Sequence, residues 1–233
     1  MSDNKPQLPE AEVLLAELLA RGASMEEVAR LKDPTANTPD EAIEALKSGN
    51  QRFYAGAPKR VFTDVNQRRA QIMKQTPFAV ILGCSDSRVP IEIVFDQGPG
   101  DIFSIRVAGN VADSSTLGSV QYAVRHLKVH LIMVLGHEGC GAVSAALQDE
   151  ATRAQEPAGV RGLLDLIVPS LRDLPPIRDS KARMREAVVR NVWAQKAELE
   201  RDELIAEAMT SGQVKVVGGF YEIASGAVDF LED

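Results

Sequence analysis

Four side chains of kinds that bind metals follow two apolar runs of the sequence. They are Cys84 and Asp86 after the first run, and His137 and Cys140 after the second. Two thiolates, one imidazole and one carboxylate make a ligand set suited to tetrahedral Zn²⁺. The chain has no other cysteine, and a disulfide framework is not expected in a cytosolic chain of this size. The sequence therefore predicts a metal site, with two buried structural thiols as the alternative.

The two apolar runs predict parallel strands that end at the same edge of a sheet. Residues 79–83 and 131–136 are short, rich in β-branched side chains and end at glycine, as buried strands do. In open α/β sheets, sites form beyond the carboxyl ends of the strands. The i, i+3 spacing of His137 and Cys140 brings both to one metal if the chain turns helical there. We therefore expect the four candidate ligands to meet.

Arg88 suggests how such a site becomes reactive. Four protein ligands close a zinc site, whereas three ligands and a water make a catalytic one. A guanidinium two residues from Asp86 is able to take the carboxylate in a bidentate salt bridge and draw it off the metal. Protonation or loss of this pairing would allow Asp86 back onto the metal and close the site, so we expect activity to fall at low pH. Two thiolates also cancel the charge of the metal, so the metal should acidify its bound water less than a site with three histidines does. An alkaline rate optimum is therefore expected.

The elements between the two apolar runs predict a parallel crossover. Residues 102–107 alternate as a strand, and residues 115–127 carry apolar side chains at helical spacing, with Ser114 or Ser115 as the cap. This helix leads into the strand at residue 131. The order strand, helix, strand is typical of a right-handed parallel crossover.

The rest of the chain extends this unit into one α/β domain. Beyond the second ligand pair, the sequence predicts helices over residues 161–172 and 178–210, a strand over 214–221 and a last strand at 228–230. The expected fold is a mostly parallel central sheet, with four parallel strands and an antiparallel edge strand, flanked by helices. We expect the domain to span residues 38–233 and to follow a helical N-terminal arm over residues 1–37.

Composition excludes several classes of partner. The 233 residues are 45% hydrophobic and carry a formal net charge of −7, which argues against nucleic acid, because phosphate binding needs clustered Lys and Arg. No apolar segment approaches the roughly 20 residues that span a bilayer, so no membrane association is expected. The first residues lack the pattern of a secretion signal. A cytoplasmic protein is therefore the expectation.

Two motifs are similar to the signatures of the β-class carbonic anhydrases. Residues 83–89, GCSDSRV, resemble the family's Cys-x-Asp-x-Arg motif, and residues 136–141, GHEGCG, resemble its His-x-x-Cys motif. Segments over 94–101, 106–110 and 216–230 resemble other recurrent stretches of the family. The resemblance covers the chain from about residue 38 to the C-terminus.

This resemblance implies a zinc enzyme that interconverts CO₂ and bicarbonate through zinc-bound hydroxide. It implies Cys84, His137 and Cys140 as zinc ligands, with Asp86 as a fourth ligand in a closed state. Asp86 and Arg88 would form a catalytic dyad whose carboxylate accepts a hydrogen bond from the hydroxide. The family also implies a homodimer or a dimer-based tetramer, held together by N-terminal helices.

The resemblance also implies candidates for substrate binding. The active cleft of the family lies at the dimer interface and is lined by apolar side chains, for which Val89, Phe103 and Tyr122 are candidates, and Gly141 is a further one. Members that resemble the plant enzymes carry a substrate-contacting glutamine in the context Asp-Phe-Gln-Pro-Gly. Here the sequence is Asp-Gln-Gly-Pro-Gly, so Gln97 is the candidate although it stands one position earlier.

Three other functions remain open on sequence alone. Carbon disulfide or carbonyl sulfide hydrolases resemble this family down to the ligands and would differ in cleft access and assembly. A non-catalytic bicarbonate or zinc sensor would keep the fold, but a closed structural site has no need of Arg88. A redox pair of Cys84 and Cys140 predicts that no metal binds, which metal analysis tests.

Overall fold

Five strands form a single sheet at the centre of the chain. They are β1 (Ala79–Gly83), β2 (Ile102–Arg106), β3 (Leu131–His137), β4 (Lys215–Tyr221) and β5 (Val228–Leu231). The spatial order is β2-β1-β3-β4-β5, with β1 to β4 parallel and β5 antiparallel to β4. The predicted fold class, four parallel strands with an antiparallel edge strand, is confirmed. The computed structural model describes residues 20–22, 24, 35–59, 71–72 and 75–231.

Helices cover both faces of this sheet. In chain order they are α1 (Pro39–Tyr54), α2 (Ile91–Val94), α3 (Ser114–Tyr122), α4 (Gly141–Ala146), α5 (Glu150–Arg153), α6 (Ala158–Ile167), α7 (Ser180–Glu200) and α8 (Glu203–Thr210). The strands alternate side chains between the faces. Ala79 and Ile81 pack towards α1 and α2, whereas Val80 and Leu82 pack towards α3, α7 and α8. Because both faces are covered, the strands are continuous apolar runs.

Two predicted helices differ in detail from the structure. The helix expected over 115–127 is capped by Asp113, whose side chain accepts from the backbone N–H groups of Ser115 and Thr116, and its last residues, 123–127, form a π turn. The predicted caps, Ser114 and Ser115, are thus wrong, because the carboxylate one residue earlier satisfies those donors. The helical stretch expected over 178–210 is divided at Asp202, whose side chain caps α8.

The predicted N-terminal arm lies mostly outside the described residues. Of residues 1–37, only 20–22, 24 and 35–37 are described, so the arm and the boundary at residue 38 stay predictions. Within the described part of the chain, no helix combines the length and hydrophobicity needed to cross a bilayer.

Candidate metal centre

Cys84, His137 and Cys140 meet at the carboxyl edge of the sheet. Strands β1 and β3 are parallel neighbours with Gly83 paired to Leu135, so the residues that follow each strand emerge side by side. The three potential ligand atoms all lie within 4.8 Å of one another. All three residues are buried, with exposures of 4% for Cys84 and 0% for the other two.

The imidazole of His137 is oriented as a metal ligand. Its Nδ1 lies 3.0 Å from the backbone oxygen of Glu138, and because a carbonyl only accepts, Nδ1 carries the proton. Its Nε2 is buried and has no hydrogen-bond partner. An unpaired buried nitrogen is costly, and a metal ion beside two thiols would satisfy it. This orphaned atom and the donor set of two sulfurs and one nitrogen fit zinc.

The thiol of Cys84 is surrounded by hydrogen-bond donors. The backbone N–H groups of Asp86 and Gly109 each lie 3.4 Å from its Sγ. The Cys140 thiol is the largest of the influences that lower the pKa of Cys84, and the backbone N–H groups of Gly109 and Asp86 add to it. The surroundings therefore favour the thiolate, which is the form that binds metals.

Cys140 lies in a different environment. It is the N-cap of α4, and the backbone N–H groups of Val143 and Ala142 favour its thiolate. The neighbouring Cys84 and the burial of the site nevertheless raise the pKa of Cys140. Two thiolates side by side repel each other, so a divalent cation between them would stabilise both.

Asp86 and Arg88 form a salt bridge next to this cluster. Arg88 donates from Nε to Oδ1 of Asp86 at 2.9 Å, from Nη2 to Oδ2 at 2.7 Å and from its backbone N–H to Oδ1 at 2.9 Å. This pairing holds the pKa of Asp86 well below its usual range. Asp86 is therefore a carboxylate engaged by a guanidinium, which is the arrangement expected for an open metal site.

Known proteins share this arrangement of fold and sequence. The family model described as carbonic anhydrase matches residues 79–228. Carbonic anhydrase 2 of Mycobacterium tuberculosis is 43% identical over 194 residues, which cover 83% of this chain and 92% of that protein. The carbonic anhydrase of Mycolicibacterium smegmatis is 41% identical over 198 residues, covering 84% and 94%. A tetrameric β-carbonic anhydrase from Sordaria macrospora matches with a TM-score of 0.64 and 30% identity, covering 70% of this chain and 84% of that one.

The chain belongs to the β-carbonic anhydrase family. The predicted family, enzyme class and cofactor are thereby confirmed: the activity is the reversible hydration of CO₂ to bicarbonate, and the cofactor is zinc. The roles of individual residues within this carbonic anhydrase stay predictions, including Asp86 as a fourth ligand in a closed state.

Arg106 is a site residue that the sequence did not single out. It lies at the end of β2, and its Nε donates to the backbone oxygen of Cys84 at 3.0 Å. Its Nη2 donates to the backbone oxygen of Asp86 at 2.6 Å. The guanidinium thus fixes the turn that carries both groups. The signal that would have identified Arg106 is its pairing with Gly83 in the sheet. That pairing is predictable only once β2 is known to lie beside β1.

Of two further candidates for substrate binding, Gly141 adjoins the metal cluster along the chain, whereas the Val89 side chain packs into the apolar core on the α1 and α2 face of the sheet. Val89 is fully buried, and its backbone N–H donates to the oxygen of Asp86 at 3.0 Å. Gly141 is the first residue of α4, directly after Cys140.

The other three candidates lie elsewhere within the chain. The amide Nε2 of Gln97 donates to the backbone oxygens of Ala45 and Phe95, at 3.3 and 3.0 Å, so it is engaged beside α1. The rings of Phe103 and Tyr122 pack together with centroids 6.2 Å apart. Phe103 pairs with Val80 in the sheet, four residues before Cys84. Within one chain these three side chains are not brought to the cluster, and their role in substrate binding stays a prediction.

Proposed function

We propose that Cys84, His137 and Cys140 hold the zinc of this carbonic anhydrase, and that Asp86 and Arg88 complete its catalytic centre. The observation that carries this assignment is the buried, unpartnered Nε2 of His137, in a cluster whose three potential ligand atoms lie within 4.8 Å of one another. When bound, zinc acts as a Lewis acid that lowers the pKa of water, the nucleophile in CO₂ hydration.

Asp86 orients the attacking water in this proposal. Oδ1 of Asp86 accepts two hydrogen bonds from Arg88, whereas Oδ2 accepts one and keeps a free lone pair. Because the pKa of Asp86 is lowered, the carboxylate stays ionised and acts as an acceptor only. Its Oδ2 would accept a hydrogen bond from the water and so direct a lone pair of the water towards CO₂.

A matched pair of histidine variants tests the ligand assignment. His137 and His130 lie near opposite ends of β3, and the Nδ1 of His130 is 3.3 Å from the backbone oxygen of Gln213. The wild type is expected to contain one zinc per chain and to hydrate CO₂ faster as the pH rises from about 6.5 to about 9. His137→Ala is expected to lose zinc and activity, while His130→Ala keeps both. Zinc retained in full by His137→Ala would refute the ligand set.

Assays with sulfur substrates distinguish a carbonic anhydrase from the remaining catalytic alternative, a carbon disulfide or carbonyl sulfide hydrolase. The same purified protein is assayed with carbon disulfide and carbonyl sulfide beside CO₂. Turnover of CO₂ well above turnover of either sulfur compound is expected. The reverse order would show a sulfur hydrolase on this scaffold.

We further propose that two copies form a dimer along β2, an edge strand of the described sheet, alone or within a tetramer. Strand β2 is an edge of the sheet, and Tyr122 is 48% exposed beside Phe103, which leaves aromatic surface for a partner. Such a dimer would bring Phe103, Tyr122 and the loop of Gln97 near the site of the other copy. The Sordaria macrospora relative is tetrameric, which supports assembly.

Light scattering on two tyrosine variants tests the dimer. Tyr122 and Tyr54 are both exposed, at 48% and 60%, but Tyr54 lies at the end of α1, away from β2. Tyr122→Arg is expected to reduce the mass to that of one chain, because a buried unpaired charge opposes association. Tyr54→Arg is expected to keep at least the dimer. A wild-type mass equal to one chain would refute the proposal.

We also propose that the protein works in the cytoplasm. Both cysteines are free thiols in the metal cluster, and a reducing compartment keeps thiols available for metals. Fractionation of cells that express the untagged protein is expected to recover it with cytoplasmic markers. Recovery with membrane or exported markers would contradict this.

A further inference from the structure

Two buried amide side chains on α7 reach from the helix to the segment after β2 that lies beside the metal centre. Asn191 and Gln195 are 0% and 4% exposed and, at i and i+4, lie on one face of the helix. Asn191 donates from Nδ2 to the backbone oxygen of Gly109 at 2.9 Å. Gln195 donates from Nε2 to Oδ1 of Asn191 at 3.0 Å. Hydrogen bonds in such a buried chain are strong, and breaking one leaves a costly unpaired group.

Backbone groups fix the direction of this chain. The N–H of Ala112 is a donor only, and it lies 2.8 Å from Oε1 of Gln195. The Nε2 of Gln195 must therefore face Asn191, and it also donates to the oxygen of Leu166 at 3.2 Å. Since Oδ1 of Asn191 accepts from Gln195, its Nδ2 has to donate to Gly109. Both amide orientations follow from unambiguous backbone partners.

Gly109 connects this chain to a metal ligand. Its N–H lies 3.4 Å from Sγ of Cys84, while its oxygen accepts from Asn191. Its φ is +72°, and a Cβ there would lie 2.6 Å from Cδ1 of Ile167 and 3.2 Å from Cβ of Ala142. The residue is thus tightly enclosed, and its orientation decides whether its N–H points to the thiolate.

The same helix also contacts the strand that carries His137. A Cβ on Gly136, the residue before it, would lie 2.6 Å from side-chain carbons of Val188 and Val192. Helix α7 therefore lies directly against the end of β3 while its amides hold the loop after β2. One rigid helix therefore positions both the loop that contacts Cys84 and the strand that carries His137.

We propose that Asn191 is a positioning residue of the zinc centre: oriented by Gln195, it holds Gly109 so that its N–H donates to the Cys84 thiolate. The proposal rests on the proposed ligand set. An N–H···S bond stabilises the thiolate and limits the charge it donates to the metal, and the constraint keeps Sγ in place before the metal arrives. A purely structural role, satisfying the buried oxygen of Gly109, would stabilise the fold without tuning the metal.

The test compares Asn191→Ala with Asn50→Ala. Asn50 is a buried helical asparagine whose Nδ2 donates to the oxygens of Val94 and Gly226 and whose Oδ1 accepts from the N–H of Val228, on the opposite face of the sheet. Zinc affinity is measured by chelator competition, and Co²⁺-substituted protein reports the sulfur-to-metal charge-transfer band. For Asn191→Ala we expect a 10- to 100-fold loss of zinc affinity and a band shifted to longer wavelength, because the unbonded thiolate is a better electron donor.

The control separates positioning from stability. Asn50→Ala is expected to lower thermal stability while its zinc affinity and cobalt band match the wild type. If both variants lose stability and both keep wild-type affinity and spectrum, Asn191 is structural and the proposal fails. If His137→Ala retains zinc, the ligand set itself fails, and that result is independent of Asn191.

Gln195→Ala provides a second variant should Asn191→Ala not fold. It leaves the donor of Asn191 in place but removes the group that orients it, so we expect smaller changes of affinity and band in the same directions. Wild-type affinity and an unshifted band in Gln195→Ala would overturn the proposed orienting role.

Discussion

The buried metal cluster and the Asp86–Arg88 pair lie side by side but are constructed in opposite ways. Cys84 follows β1, His137 ends β3 and Cys140 caps α4, and all three are almost fully buried. Asp86 and Arg88 are two residues apart, and the Arg88 side chain is 55% exposed. The cluster depends on contacts between distant parts of the chain, whereas the pair is closed by a short local turn.

This difference determines from how far away a substitution can affect each of the two groups. Helix α7 contacts the loop of Gly109 and the end of β3, so changes remote from the metal are expected to reach the cluster. The salt bridge joins two residues of one turn, which Arg106 braces from β2, so it is expected to respond mainly to substitution of its own two residues or of Arg106. The following predictions test this contrast.

Zinc removal should have the largest effect. Without the ion, Nε2 of His137 is buried and unpaired and the two thiols lose a shared cation, so we expect loss of all CO₂ hydration and of stability. A metal ion whose free concentration is 1,000 times its Kd stabilises the folded protein by about 4 kcal/mol. Calorimetry with and without a chelator measures this, and re-added zinc is expected to restore both properties. An unchanged unfolding midpoint would show that the cluster folds without help from the metal.

Gly109→Ala should destabilise the scaffold that holds the cluster. A φ of +72° is unfavourable for alanine by about 1–2 kcal/mol, and the added Cβ meets Ile167. Urea unfolding is expected to show this loss together with weaker zinc binding. Gly118→Ala is the control, because this glycine lies inside α3 with open space around it, and alanine there is expected to stabilise by about 1 kcal/mol. Equal effects of the two changes would contradict the proposed constraint.

Arg88→Ala should reduce catalysis and leave the cluster intact. Without the guanidinium the pKa of Asp86 rises towards its ordinary value, so the acidic loss of activity is expected to begin at higher pH. We expect kcat/KM to fall roughly 10- to 100-fold with one zinc still bound, and Arg88→Lys to recover little, since lysine cannot pair bidentately. Arg201→Ala, which removes a surface pair with Glu198, is the control and should change neither. Loss of zinc in Arg88→Ala would show that the pair supports the cluster.

Asp113→Ala should have the smallest effect and no effect on the metal. Removing the capping box of α3 is expected to cost about 1 kcal/mol. Hydrogen bonds from Thr116 and Ser115 lower the pKa of Asp113, so its contribution is present above the unfolded pKa near 4 and is lost as the pH falls through the lower folded value. Denaturation at neutral and acidic pH should show the difference between variant and wild type shrinking in acid. A change in zinc affinity would contradict the local nature of this contact.

Much of the fold was predictable because strand patterns are short-range. The apolar runs of β1 and β3 and the glycines that end them indicated parallel strands and the edge at which they meet. The cap of α3 was misassigned between adjacent polar residues, since Asp113, Ser114 and Ser115 are all good caps and only backbone geometry selects one. The break at Asp202 was missed because helical spacing continues across it.

The chemistry of the site was readable from the sequence: two thiols and an imidazole that suit zinc, and a carboxylate placed to pair with a nearby arginine. These follow from residue type and local spacing. Packing of distant segments leaves Nε2 of His137 buried without a partner and brings Arg106 to brace the turn of Cys84. The contact of Asn191 with Gly109 likewise arises only when α7 packs on the sheet. A polar side chain on a helix has the same local pattern whether it meets solvent or a buried loop, so its partner is fixed by packing alone.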